Sequence, residues 1–98
     1  MKVSIESKAK AFLLEKNRNV ITLFLRSTGG GWCGIIQVPE VAHQVPEVPE
    51  GFLSYDIDGF TIYIQKSATV GAEHIEFVLK GFWIFKNVIA EGVKYPKL

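Results

Sequence analysis

Phe52-Leu-Ser-Tyr-Asp-Ile-Asp-Gly-Phe-Thr-Ile-Tyr-Ile-Gln-Lys66 decides the fold class. Asp58-Gly59 divides two strand-like runs, Phe52 to Ile57 and Phe60 to Lys66, and an Asp-Gly pair in that setting predicts a tight β-hairpin. In the second run Phe60, Ile62 and Ile64 share one face, while Thr61, Tyr63 and Gln65 share the other. That two-residue period marks a strand with one buried face. Aspartate at 58 is favoured by the turn itself, which explains Asp56 and Asp58 better than a paired-carboxylate site would.

The pattern changes on either side of this hairpin. Upstream, Val20 to Arg26 is rich in β-branched and bulky residues and bounded by turn formers, and it predicts another strand. Met1 to Ile5 predicts a short edge strand. Ser7 is the expected N-cap of a helix from Lys8 to about Asn17, whose buried stripe is Ala9, Phe12 and Leu13. Ile35 to Val38 predicts a strand kept short by Pro39. Residues 38–50, with three Val-Pro-Glu triplets, predict an extended polyproline-like surface loop. Downstream, Ser67 or Thr69 is positioned to cap a second helix over Val70 to Lys80, with Ala72, Ile75, Val78 and Leu79 inward and Gly81 as its stop. Phe82 to Lys86 predicts an aromatic-rich strand. No strong period follows from Asn87 on, and Lys94 to Leu98 is expected to be a loose tail. The sum is a small β-rich α+β domain over residues 1–98, a sandwich of two short mixed sheets with two helices.

Composition bounds the function. The 98 residues are 48% hydrophobic and 12% aromatic, enough apolar surface for one folded domain. Eleven basic and ten acidic residues give a formal charge of +1, which argues against a nucleic-acid partner. No apolar run approaches the roughly 20 residues of a membrane span, so no membrane partner is expected. The opening MKVSIESKAK lacks the apolar core of a signal peptide, and the single cysteine, Cys33, excludes an intrachain disulfide. A cytoplasmic location is the expectation.

The segment Ser27-Thr-Gly-Gly-Gly-Trp-Cys-Gly34 is the most unusual in the chain. Gly29, Gly30, Gly31 and Gly34 surround Trp32 and Cys33. The run lacks the Gly-Lys-Ser/Thr ending of a phosphate-binding loop and leads toward a strand, so a tight turn explains the glycines better than nucleotide binding does. Two readings of Cys33 stay open. It is a reactive thiol or metal ligand on a glycine loop whose amides stabilise a thiolate, or it is a small buried hydrophobe beside Trp32. His74, next to Glu73, reads as part of a solvated helix face, and His43 as an exposed loop residue. Trp83 and Phe85 share a strand face opposite Phe82 and Ile84, marking either a strand buried on both sides or an interface. No Ser-His-Asp order, zinc spacing or dinucleotide fingerprint supports a hydrolase or a dehydrogenase.

In this order the chain resembles the HesB/IscA family of A-type iron–sulfur carriers. Three stretches carry the resemblance: Val20 to Gly34, like the family's strand and glycine-bounded cysteine loop; Asp56 to Ser67, like its central hairpin; and Ile75 to Asn87, like its helix feeding a last strand with a Phe-x-x-x-Asn ending. The resemblance implies an accessory protein of iron–sulfur cluster biogenesis, more a carrier than an enzyme. It implies Cys33 as the metal ligand, Gly29, Gly30, Gly31, Trp32 and Gly34 as its binding loop, and iron or a cluster as the cofactor. It further implies a homodimer, with Trp83 and Phe85 at the interface, and assembly or recipient proteins as partners. The family holds its metal with three cysteines, one in the glycine loop and two in a C-terminal Cys-x-Cys pair. Only Cys33 matches, and after Asn87 this chain reads Val88-Ile-Ala-Glu-Gly-Val93. A standard cluster takes four thiolates, so one chain does not supply a complete site, and the metal-free alternative stands beside the iron-bound one. Related sequences carry cysteine or selenocysteine where Trp32 stands, which points to redox chemistry at this loop. Two alternatives therefore accompany the carrier reading. One is a thiol redox protein or sensor using Cys33, and the other a degenerate member that acts only as an interaction domain.

Overall fold

The computed structural model describes residues 1–29, 35–81 and 85–93. Chain order is β1 (Lys2–Ile5), α1 (Ser7–Glu15), β2 (Val20–Gly29), β3 (Ile35–Ala42), β4 (Phe52–Ile57), β5 (Phe60–Gln65), β6 (His74–Lys80) and β7 (Asn87–Glu91), with 3₁₀ turns at Pro49–Gly51 and Lys66–Thr69. A three-stranded sheet has the order β1-β6-β7 and a four-stranded sheet the order β3-β2-β5-β4. Both are mixed: β1 pairs parallel with β6 and β2 parallel with β5, and the other ladders are antiparallel.

The central hairpin forms as its sequence requires. Ile57 pairs with Phe60, and Asp58 and Gly59 adopt φ values of 50° and 85°. Two successive positive φ angles are the signature of the type I′ turn, whose twist matches that of the strands it joins. On β5, Phe60, Ile62 and Ile64 are buried while Thr61, Tyr63 and Gln65 are half-buried. The buried three join Ile21 and Leu23 of β2, Ile75 and Phe77 of β6, Val88 of β7 and Ala9 and Leu13 of α1 in one core cluster. The two sheets and the helix therefore share their apolar interior.

The N-terminal strand and helix occur where the sequence places them, with one change. The N-cap is Glu6 rather than Ser7, and no side chain caps the helix. Glu6 ties the entry of α1 to the three-stranded sheet instead. Its backbone N–H donates to the Phe77 carbonyl at 2.8 Å, and its Oε1 accepts from the Leu79 N–H at 3.3 Å. Asn17, at φ 57°, turns the chain out of the helix, and the Arg18 N–H closes the end on the Leu13 carbonyl.

Three expectations are corrected. The second helix does not form: Lys66–Thr69 is a 3₁₀ turn, in which the Thr69 hydroxyl donates to the Lys66 carbonyl, and His74–Lys80 is β6. Ile75, Val78 and Leu79 fit a helical stripe, but Ile75, Phe77 and Leu79 fit a strand equally well, and pairing with both β1 and β7 selects the strand. β3 is longer than expected, running through Pro39 to Ala42 and taking residues 38–42 out of the presumed polyproline loop. Proline is tolerated there because β3 is a sheet edge. Asn87–Glu91, where no period is visible, is β7. Of the expected strand over Phe82 to Lys86, residues 82–84 lie outside the described residues, as does the 94–98 tail, and the described Phe85 and Lys86 are not in a strand. Among the described residues no helix is long and apolar enough to cross a membrane.

Candidate functional site

β2 and β3 form one antiparallel hairpin, and its ladder reaches Gly29 paired with Ile35. That rung brackets residues 30–34. Gly30, Gly31, Trp32, Cys33 and Gly34 themselves lie outside the described residues, as does Trp83. Phe85 is described and is 71% exposed. β7 begins at Asn87, so Val88 to Glu91 run antiparallel to β6.

β3, which leads away from the glycine loop, and β7 meet along a cleft of about 440 Å³. Arg18, from the turn after α1, and His43, just past β3, contribute its nitrogen-bearing side chains together with Asn87. Glu40 also lines it but is paired with Arg26, Oε1 to Nε, at 2.8 Å. Both partners of that pair are well exposed, and such pairs contribute at most about 1 kcal/mol.

His43 is half-buried, a correction to its reading as an exposed loop residue. Its Nδ1 lies 3.2 Å from the Val20 carbonyl oxygen. A carbonyl only accepts, so Nδ1 carries the proton and Nε2 is the free acceptor of the neutral ring. Burial pulls the His43 pKa below its ordinary value; the Val20 hydrogen bond opposes this and the nearby Arg18 cation adds to it. With the folded pKa below the unfolded one, the unfolded chain binds more protons between the two values. The stability contributed by neutral His43 is therefore complete above about pH 6.5 and is lost as the pH falls through the folded value. Urea midpoints measured from pH 7.5 down to 5 should fall more for the wild type than for His43→Asn, whose amide keeps a donor but does not titrate. Parallel pH profiles would rule this out.

The remaining polar candidates separate. Asp58 forms an ion pair with Lys10 of α1, and Asp56 accepts from the Thr61 hydroxyl across the β4–β5 ladder at 3.3 Å. The two carboxylates therefore do not form a common site. His74 lies at the start of β6 rather than on a helix, with Nε2 2.7 Å from Ser4 Oγ. Among the described residues no three His, Cys, Asp or Glu side chains converge as metal ligands. With one cysteine in the sequence, one chain does not provide the donor set of a resident four-thiolate cluster. Arg18 and Asn87 carry no sequence signal of a site, because separate elements, the turn after α1 and β7, bring them to the cleft.

The sequence model of one family, described as the CC/Se motif containing family, matches residues 1–93. No curated protein matches the chain. Among the solved structures that share its fold are two at 13% sequence identity. One is Escherichia coli SufA, involved in biosynthesis of iron–sulfur clusters, with a TM-score of 0.61 over 93% of this chain and 80% of that one. The other is IscA with a [2Fe-2S] cluster, with a TM-score of 0.67 over 92% and 84%. The fold is HesB/IscA-like.

Proposed function

The chain belongs to the CC/Se motif containing family, and from that membership and its HesB/IscA-like fold we propose an accessory protein of iron–sulfur cluster biogenesis that works through the glycine loop around Cys33. The single observation that carries this reading is the β2–β3 hairpin. It brackets the only thiol of the chain between two paired strands, in a fold shared with SufA and with an IscA that holds a [2Fe-2S] cluster.

Iron or a cluster is cargo in this proposal. One chain offers one thiolate, Cys33, with Gly29, Gly30, Gly31, Trp32 and Gly34 as the loop that presents it. Two chains in a homodimer offer two thiolates, and the other positions fall to exogenous thiols or to a partner that assembles or receives the cluster. Phe85, 71% exposed, and Trp83 are the proposed dimer contact, and a reducing cytoplasmic compartment suits the lone thiol.

A second reading has its own support. The family is described by a CC or selenium motif, and Trp32 next to Cys33 leaves this chain with one sulfur of such a pair. Cys33 then acts as a redox thiol, passing through sulfenic acid or a mixed disulfide. The metal-free interaction domain is the reading that remains if Cys33 is inert.

Protein purified anaerobically, measured beside Cys33→Ser, separates these. The carrier reading expects iron in the wild type, with visible thiolate-to-iron absorption that the substitution abolishes. Colourless, iron-free protein after reconstitution with ferrous iron and sulfide would remove it. In that case alkylation of Cys33 faster than that of a free model thiol near neutral pH would favour redox chemistry, and slower labelling would favour the interaction domain.

A further inference from the structure

We infer that the cleft between β3 and β7 is a docking site for an extended peptide segment that presents a carboxylate, a surface additional to the Cys33 loop and independent of any metal there.

Both strands are sheet edges: β3 ends the order β3-β2-β5-β4 and β7 ends β1-β6-β7. An edge strand has backbone N–H and C=O groups unpaired within its own sheet, interrupted on β3 by Pro39, which has no N–H, and an extended peptide is the ligand shape that such edges recognise. Here two edges from different sheets meet at one cleft of about 440 Å³. Its apolar lining residues are Pro39 and Val41 of β3 and Val88, Ile89 and Ala90 of β7, of which Ile89 is 41% exposed although it stands on a strand.

Charge selects the occupant. Among the described residues Arg18 has no ion-pair partner, whereas Glu40, the carboxylate in the wall, is taken by Arg26. Among the described residues the cleft therefore presents an uncompensated guanidinium, whose planar fork matches a carboxylate. His43 Nδ1 is held by the Val20 carbonyl, so a proton gained by the ring appears on Nε2 and turns it from acceptor to donor. Among the described residues the charged groups that line the cleft with this ring are Arg18 from the turn after α1 and Glu40 from β3, and the polar residue from β7 is the uncharged Asn87. A bound carboxylate favours the protonated ring, so binding tightens as the pH falls from 7.5 to 5.5.

The test is an amide-resolved NMR titration of the full chain with a pool of N-acetylated tetrapeptides of β-branched residues ending in aspartate. The same pool ending in asparagine amide and acetate alone are the controls. The expected result is a saturable response at 40–43 and 87–90 that weakens at least tenfold in Arg18→Gln and with the neutral pool. The tightening at pH 5.5 should be absent in His43→Asn. The Arg18 side chain makes no hydrogen bond among the described residues, and an unchanged melting midpoint checks that the variant folds. No response at these strands up to several millimolar, or equal binding of the acidic and neutral pools, overturns the inference. So does acetate reproducing the response, which would make the cleft a simple anion site, or a response that follows protein concentration without peptide, which would place a second copy there.

Discussion

Gly92→Ala is expected to cost at least about 3 kcal/mol and to lower the melting midpoint by about 12 °C or more. Gly92 follows β7 at φ 97°, a conformation that residues with a Cβ rarely adopt. Strain of that kind alone amounts to about 1–3 kcal/mol. Sterics add to it, because a Cβ built at this position lies 1.9 Å from the His74 carbonyl oxygen and 3.1 Å from its carbon. Those are backbone atoms and have no rotamer by which to yield. His74 opens β6, whose next residues pair with β1 on one side and β7 on the other, so relief at Gly92 means displacing the central strand of the sheet. Gly51→Ala is the internal control. Nothing lies within 4 Å of a Cβ there, and the change should stay within about 0.5 kcal/mol. Thermal unfolding followed by circular dichroism measures both, and equal midpoints for the two variants would contradict the close approach.

Nothing around Gly92 in the sequence announces that contact, and the same physics divides what was legible from what was not. Asp58-Gly59 and the alternation of Phe60, Ile62 and Ile64 act locally, so the hairpin could be read without knowing its surroundings. β7 could not. Its buried residue is Val88, but the next, Ile89, is apolar and 41% exposed, so the period that would mark a strand is erased. β6 was ambiguous because its seven residues hold Ile75, Val78 and Leu79 at helical spacing and Ile75, Phe77 and Leu79 at strand spacing, and the choice is made by pairing partners outside the segment, β1 at the start of the chain and β7 after it. Pro39 ends a central strand but not an edge strand, and edge position is a property of the sheet. For the site, the glycine loop was visible as a cluster of unusual residues. The cleft was not, since Arg18, His43 and Asn87 meet only after both sheets have formed.

Phe77→Ala is the second large effect, about 3–5 kcal/mol. In the helical reading Phe77 falls off the buried stripe, and its truncation would be a surface change of a few tenths of a kcal/mol. In the strand it is fully buried, paired with Ile5 of β1 and Ala90 of β7, and its carbonyl receives the Glu6 N–H at the start of α1. Removing the ring takes contacts from both sheets' shared core at once, and the pairings on either side limit how far the backbone closes over the cavity. A domain of this size is stable by roughly 5–15 kcal/mol, so the variant loses a large fraction of its margin. The urea midpoint should drop steeply at unchanged slope. Phe85→Ala provides the opposite case: the ring is 71% exposed and contributes little to the folding of one chain, so its unfolding midpoint at low protein concentration should match the wild type. If Phe85 is the dimer contact, the same variant shifts the monomer–dimer equilibrium in sedimentation at high concentration. One phenylalanine thus reports on the core and the other on association. A small effect at Phe77 would refute the strand assignment of β6, and a large one at Phe85 in the monomer would refute its role as an outward-facing contact.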